Sequence, residues 1–196
     1  MLLKKHGRLK KIISLLERFK DKYIGLDMYL SKKIYVWSED RKLLKITGIK
    51  SKVKADKVSY IIEEAGYWRK ANAIHNWFVE NVQNGDDDCG DYSVSEEQLR
   101  ELLAAVKKVL DSSELVKGKT INGYTYKDGK KYPDIIDGLV MKDTSVARKL
   151  LPTQSGFFFG GTDYDEYYYK DLELTKKILE EALSDSTGEF TYHSSW

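Results

Sequence analysis

The sequence predicts an α+β fold, in which a small, mostly antiparallel sheet is packed by three to four helices. Residues 25–196 are expected to form one domain, preceded by a basic amphipathic helix at 1–24. Three observations carry this prediction. Short β-branched and aromatic runs fill the first third, segments of helical period follow, and Phe190-Thr191-Tyr192-His193 closes as a strand. The 196 residues, 41% of them apolar, suffice for one buried core. With 14 Tyr, 6 Phe and 4 Trp the chain is too aromatic to be disordered throughout.

At the N-terminus, Leu9, Ile12, Ile13, Leu15, Leu16 and Phe19 recur at helical spacing, interrupted by Lys10, Lys11, Glu17 and Arg18. Such interruption excludes the continuous apolar run of a signal peptide. Residues 1–22 hold eight Lys/Arg against Glu17 and Asp21, a net of +6. The excess reads as the solvated outer face of a helix packed by its Leu/Ile stripe, and alternatively as an arm for phosphate, a membrane surface or an acidic partner.

Next, Leu26–Leu30, Ile34–Trp37 and Leu43–Thr47 read as strands separated by turns such as Ser38-Glu39-Asp40, with Val58–Ile62 as one more. A helix is expected from about Tyr67 to Asn84, with Tyr67, Ala71, Ile74, Phe78 and Val82 on its core face and Gly85 ending it. Ser95 with Gln98 is a capping box. It opens a helix with Leu99, Leu102, Leu103, Val106 and Leu110 inward. Residues 117–142 contain two turn dipeptides, Asn122-Gly123 and Asp128-Gly129, and read as a hairpin excursion. A short helix through Ala147–Leu151 stops at Pro152, and Phe157-Phe158-Phe159 is expected to be extended. Thr162 with Asp165 is expected to cap a last long helix reaching about Ser184.

Function classes narrow from charge and cysteine. Lys and Arg total 33 against 31 Asp and Glu, so the basic excess of a duplex-DNA binder is absent, which argues against nucleic acid as a partner. A single cysteine, Cys89, forms no internal disulfide and fits a reducing compartment, hence a cytoplasmic location with no membrane span. No zinc spacing exists among three His and one Cys, and no metal or cofactor is expected. The loop Gly85–Tyr92 lacks calcium-loop spacing; Asp88 and Asp91 suit a magnesium ion or, more commonly, an exposed acidic turn. A nucleophilic Cys89–His75 pair is weak, because a straight helix would separate the two by about 20 Å.

The second face of the expected 67–84 helix carries Trp68, Asn72, His75 and Val79, flanked by Arg69 and Asn76. Arg69, Asn72 and His75 supply donors for a phosphate or ribose, and Trp68 a surface for a base. The other reading is that neighbouring backbone satisfies these groups. Further on, Gly156, Gly160 and Gly161 permit close ligand approach, without forming a phosphate loop. Phe159 and Tyr164 offer stacking surfaces, and the cluster Tyr164, Tyr167, Tyr168 and Tyr169 surrounds a helix start, where N–H groups favour anions; the other reading is that these aromatics are core and dimer contacts. Asp88 and Glu166 are suited to read an amine or hydroxyl.

Tyr67–Phe78, Gln83, Asp88-Cys89-Gly90, Leu151-Pro152-Thr153-Gln154, Gly156–Gly160, Tyr164–Tyr168 and Ser194-Ser195-Trp196 together resemble a widespread family of uncharacterised proteins of tailed bacteriophages and prophages. The resemblance covers roughly residues 58–112 and 145–196. It implies no catalytic residues. A small accessory phage protein of this kind is similar in class to phage proteins that sequester nucleotide-derived immune signals of the host. The expectation is therefore sequestration of a small phosphate-bearing nucleotide ligand by a homo-oligomer, through Trp68, Arg69, Asn72, His75, Asn76, Asp88, Phe159, Tyr164, Glu166 and Tyr168. The alternatives are a nucleotide hydrolase or phosphodiesterase using His75 and the 86–91 carboxylates, and an inhibitor that binds a host protein.

Overall fold

A computed structural model describes residues 25–48, 52–156, 158–185 and 187–196. The basic helix expected at 1–24 lies outside the described residues, as does Phe157. The fold is α+β, as the sequence predicts. A four-stranded antiparallel sheet has the order β2-β1-β6-β3, from β1 (Asp27–Tyr35), β2 (Tyr60–Arg69), β3 (Asp91–Val94) and β6 (Glu189–Ser195). A separate hairpin pairs β4 (Leu115–Lys127) with β5 (Lys130–Met141).

Period-2 alternation gives the sheet one buried face. Met28 and Leu30 of β1, Trp68 of β2, Val94 of β3, and Phe190 and Tyr192 of β6 all point into the core. Three helices supply the other side of that core: α2 (Asn72–Asn81), α3 (Glu96–Ser112) and α5 (Glu166–Ala182). On α3, Leu99, Leu102, Val106 and Val109 are buried at helical spacing. The Ser95 capping box is present in full, with Gln98 N–H donating to Ser95 Oγ at 3.1 Å and Ser95 N–H to Gln98 Oε1 at 2.9 Å. α5 crosses β2 at Gly66, where any Cβ would run into the Ile178 side chain. Beside it the Trp68 indole N–H donates to Thr175 Oγ1 at 2.9 Å.

Several expected elements are redrawn. The strand beginning near Val58 runs on to Arg69, so Tyr67, Trp68 and Arg69 belong to β2 and not to the following helix. Tyr67, expected in the core, is 39% exposed on the outer sheet face against Tyr29. The break falls at Lys70, whose φ of +60° turns the chain from strand to helix. Leu26–Leu30 and Ile34–Tyr35 are one strand, not two. Ser38–Leu43 is a short helix, α1, where a turn and a strand were expected; acidic Glu39 and Asp40 in its first turn and Arg41 and Lys42 in its last suit the helix dipole.

In the hairpin, Asp128-Gly129 is the two-residue turn, with φ of +52° and +72°. Asn122-Gly123 is not a second turn but a bulge inside β4. The Phe158–Gly161 stretch is loop, not strand, with positive φ at Phe158 and Gly160. Between them Phe159 is buried, while Phe158 is 37% exposed. A short α4 (Ser145–Leu150) precedes Pro152. The cap of α5 is Asp165 rather than Thr162; its Oδ1 accepts from the N–H groups of Tyr167 (2.9 Å) and Tyr168 (3.2 Å). The base of the hairpin is joined to this helix start, since Met141 N–H donates to Tyr164 O at 2.9 Å.

Candidate functional site

The polar stripe read from the sequence faces inward. His75 is fully buried on α2, with Nδ1 2.8 Å from Tyr192 Oη and Nε2 3.0 Å from Asp87 Oδ2. The Asp87 carboxylate can only accept, so Nε2 donates to it, and the Tyr192 hydroxyl meets Nδ1 on the other side of the ring. Burial pushes the Tyr192 hydroxyl well above its usual range, so it remains a donor. Phe159 closes the imidazole edge-on at 5.3 Å, and Phe78 stacks on Tyr192 at 3.9 Å.

Asn72 is likewise spent internally. Its Nδ2 donates to Phe159 O (3.1 Å) and Gly161 O (2.7 Å), and its Oδ1 accepts Gln154 N–H at 3.0 Å. One side chain thereby fastens the 154–161 loop to the start of α2. Trp68 is wholly buried, and Arg69 is held by Asp27 through two bonds of 2.7 and 2.8 Å. As the phosphate contacts expected of Arg69, Asn72 and His75, these groups are already committed.

Asp88 stands apart on an exposed loop. The Tyr92 hydroxyl and the Gly90 N–H bind its carboxylate and hold it below the usual range, bracing the loop. Tyr164 is buried beneath the Arg148 guanidinium and edge-on to Tyr168. The Tyr168 hydroxyl donates to Leu151 O at 2.9 Å. Asn76 is half-buried on α2.

A cavity of about 510 Å³ lies elsewhere, between the β2–α2 turn, the hairpin and the start of α5. Of the ten expected site residues, Arg69, Asn72, Glu166 and Tyr168 line it, whereas Trp68, His75, Asn76, Asp88, Phe159 and Tyr164 do not. Lys70, Thr120, Asn122, Asp137, Asp163, Asp165 and Asp171 are among its other polar lining residues. Within the hairpin, Gly118 and Gly138 lack side chains where those of Val140 and Thr120 pack across the two strands. Thr120 Oγ1 lies 2.9 Å from Asp165 Oδ2, and Ile121 N–H donates to Asp163 Oδ2 at 2.8 Å.

Five carboxylates against Arg69 and Lys70 make the cleft acidic. Its most perturbed group is Asp171, whose carboxyl is pushed up to about 7, first by burial and then by the neighbouring Asp165 charge. A strongly shifted acid in a cleft is a recognised mark of a functional site. The sequence held a signal for it: Asp171 shares a helix face with Tyr168 three residues before and Thr175 four residues after, both buried. A carboxylate on an inward face calls for explanation.

Among the described residues no group of three or more His, Cys, Asp or Glu side chains is arranged to hold a metal ion. Among them, too, no helix is long and apolar enough to cross a membrane. Compared with protein-family models, curated proteins and solved structures, the chain matches none.

Proposed function

We propose that this protein binds and holds a small ligand in the cleft between the hairpin and α5, without turning it over. The observation that carries the reading is the cavity itself: about 510 Å³, with polar groups converging from three separate elements. That is the size and lining of a small-molecule site. Its floor is fixed in advance, because Asp165, Thr120, Asp163 and Ile121 N–H are already bonded to one another. Preorganisation of this kind favours retention.

A nucleotide-derived ligand is the proposed class, in keeping with the resemblance to tailed-phage proteins and with a sequestering role in the host cytoplasm. The phosphate end belongs at the rim, by Lys70, which makes no ion pair among the described residues. The acidic floor repels phosphate and favours base or ribose donors. Mass spectrometry of small molecules released from protein purified out of host cells tests the reading. Recovery of an intact nucleotide supports it; a cleaved product, or loaded protein whose ligand survives Thr120→Trp, overturns it.

A second reading, an inhibitor that binds a host protein, is favoured by the outer face of the hairpin. Tyr124, Tyr126 and Ile135 are 48%, 72% and 58% exposed there. The hydrolase reading has a His75–Asp87 pair to draw on, but that pair is sealed from the cleft.

A further inference from the structure

The cleft's carboxylates differ in what they have left to offer. Asp165 already accepts from two helix N–H groups and Thr120. Asp163 takes the Ile121 N–H. Glu166 is paired with Lys170 at 3.2 Å, and Asp137 with Lys119 at 2.6 Å. Asp171 alone among them makes no hydrogen bond or ion pair with the described residues, while lining the cavity from the inward face of α5.

Asp171 is half-buried, and its carboxylate is open to the cavity without a donor among the described residues, so both of its oxygens are available to donors on a ligand. Two open oxygens on one planar group match two parallel N–H donors, the geometry of the strongest carboxylate contacts. The fixed negative charges of Asp163 and Asp165 nearby favour such donors and disfavour acceptor-rich groups.

We propose that Asp171 is the specificity group of this cleft, and that it reads a planar pair of N–H donors on the ligand. Two sources carry that chemistry: the N1–H and 2-amino edge of a guanine base, and a guanidinium group. The inference rests on the cleft being the binding site. It adds that the floor selects by donor pattern, whereas the rim meets whatever charge the ligand trails.

Calorimetric titration of the full chain with guanosine monophosphate, inosine monophosphate and agmatine tests this. Inosine lacks the 2-amino group and so offers one donor of the pair. If a guanine edge is read, guanosine monophosphate binds about 10–100-fold more tightly than inosine monophosphate, the value of one hydrogen bond to a charged acceptor. If a guanidinium is read, agmatine binds and both nucleotides do not. In either case Asp171→Asn, which places an amide donor against the pair, lowers affinity at least about tenfold. Equal binding of the two nucleotides, binding undiminished in Asp171→Asn, or no binding of any of the three at millimolar concentration overturns the proposal. Asp171→Asn must keep the wild-type circular dichroism spectrum; should it fail to fold, Asp171→Glu, which displaces the carboxylate by one methylene, takes its place with the same outcomes. Protein that releases a ligand without paired N–H donors, and no longer holds it as Thr120→Trp, overturns this inference and leaves the cleft reading intact.

Discussion

The Asp87 carboxylate bridges two distant parts of the chain: its Oδ2 lies 3.0 Å from His75 Nε2, and its Oδ1 accepts the Trp196 indole N–H at 3.0 Å. A loop that follows α2 thus folds back along the helix it has just left. α2 ends at Asn81, and the loop after it brings Asp87, twelve residues beyond His75, back to the imidazole. His75, Asp87, Tyr192 and Trp196 form one buried-to-surface chain of polar contacts.

This bridge predicts coupling. His75→Ala should destabilise the fold by about 2–4 kcal/mol, from a cavity plus an orphaned Tyr192 hydroxyl. Asp87→Ala should cost about 1–3 kcal/mol. The double variant should fall short of the sum by at least about 0.5 kcal/mol. Urea denaturation of the four proteins measures it, and strict additivity would show that the two side chains do not interact.

Stability should fall with rising pH on account of Asp171. Its folded value of about 7 lies above the 3.8 of an ordinary aspartate, so the folded state holds a proton that the unfolded chain has released. The stabilisation is complete below about pH 4 and is lost progressively as pH rises to about 7, with a ceiling of about 4 kcal/mol. Asp171→Asn should flatten this part of the profile in thermal melts between pH 4 and 8. An unchanged slope would rule out Asp171 as its source.

Asn72→Ala should release the 154–161 loop, because it removes two donors and one acceptor at once. A loss of about 2–3 kcal/mol is expected. Limited proteolysis should cut within 154–161 well before the rest of the chain. Asn72→Asp keeps the acceptor for Gln154 and faces two carbonyls with a carboxylate, so it should be no better tolerated.

Ser95→Ala should cost about 1 kcal/mol by removing the α3 cap. Ser95→Asp should restore most of it. Both are readable as shifts in the urea midpoint, and an unaltered midpoint in Ser95→Ala would mean the cap contributes nothing.

What could be read from the sequence was what is local. The capping box needs only Ser95 and Gln98, and the inward stripe of α3 needs only its own spacing. The start of α2 is not local information, because Tyr67, Trp68 and Arg69 suit either period over three residues; β1 decides, by pairing Asp27 with Arg69 and Met28 with Trp68. The polar stripe of Asn72 and His75 was visible as a stripe. Whether it met solvent or core depended on Tyr192, 117 residues beyond His75. The cleft was least legible, since the hairpin, α5 and the β2–α2 turn meet only in three dimensions. Asp171 alone betrayed it, as a charge on a helix face whose neighbours are buried.

Strand β6 occupies an interior place in the sheet, with β1 on one side and β3 on the other. Asp27 is matched there with Ser195, and most of the polypeptide must be threaded between them. Pairing at such sequence distance is slow, because a large loop has to close before the contact rewards it. During synthesis the β1–β2 pair can assemble early, yet one side of β1 stays bare until residues 189–195 arrive. That interval is when this protein is most open to sticking to its neighbours, and a chaperone would find its grip there.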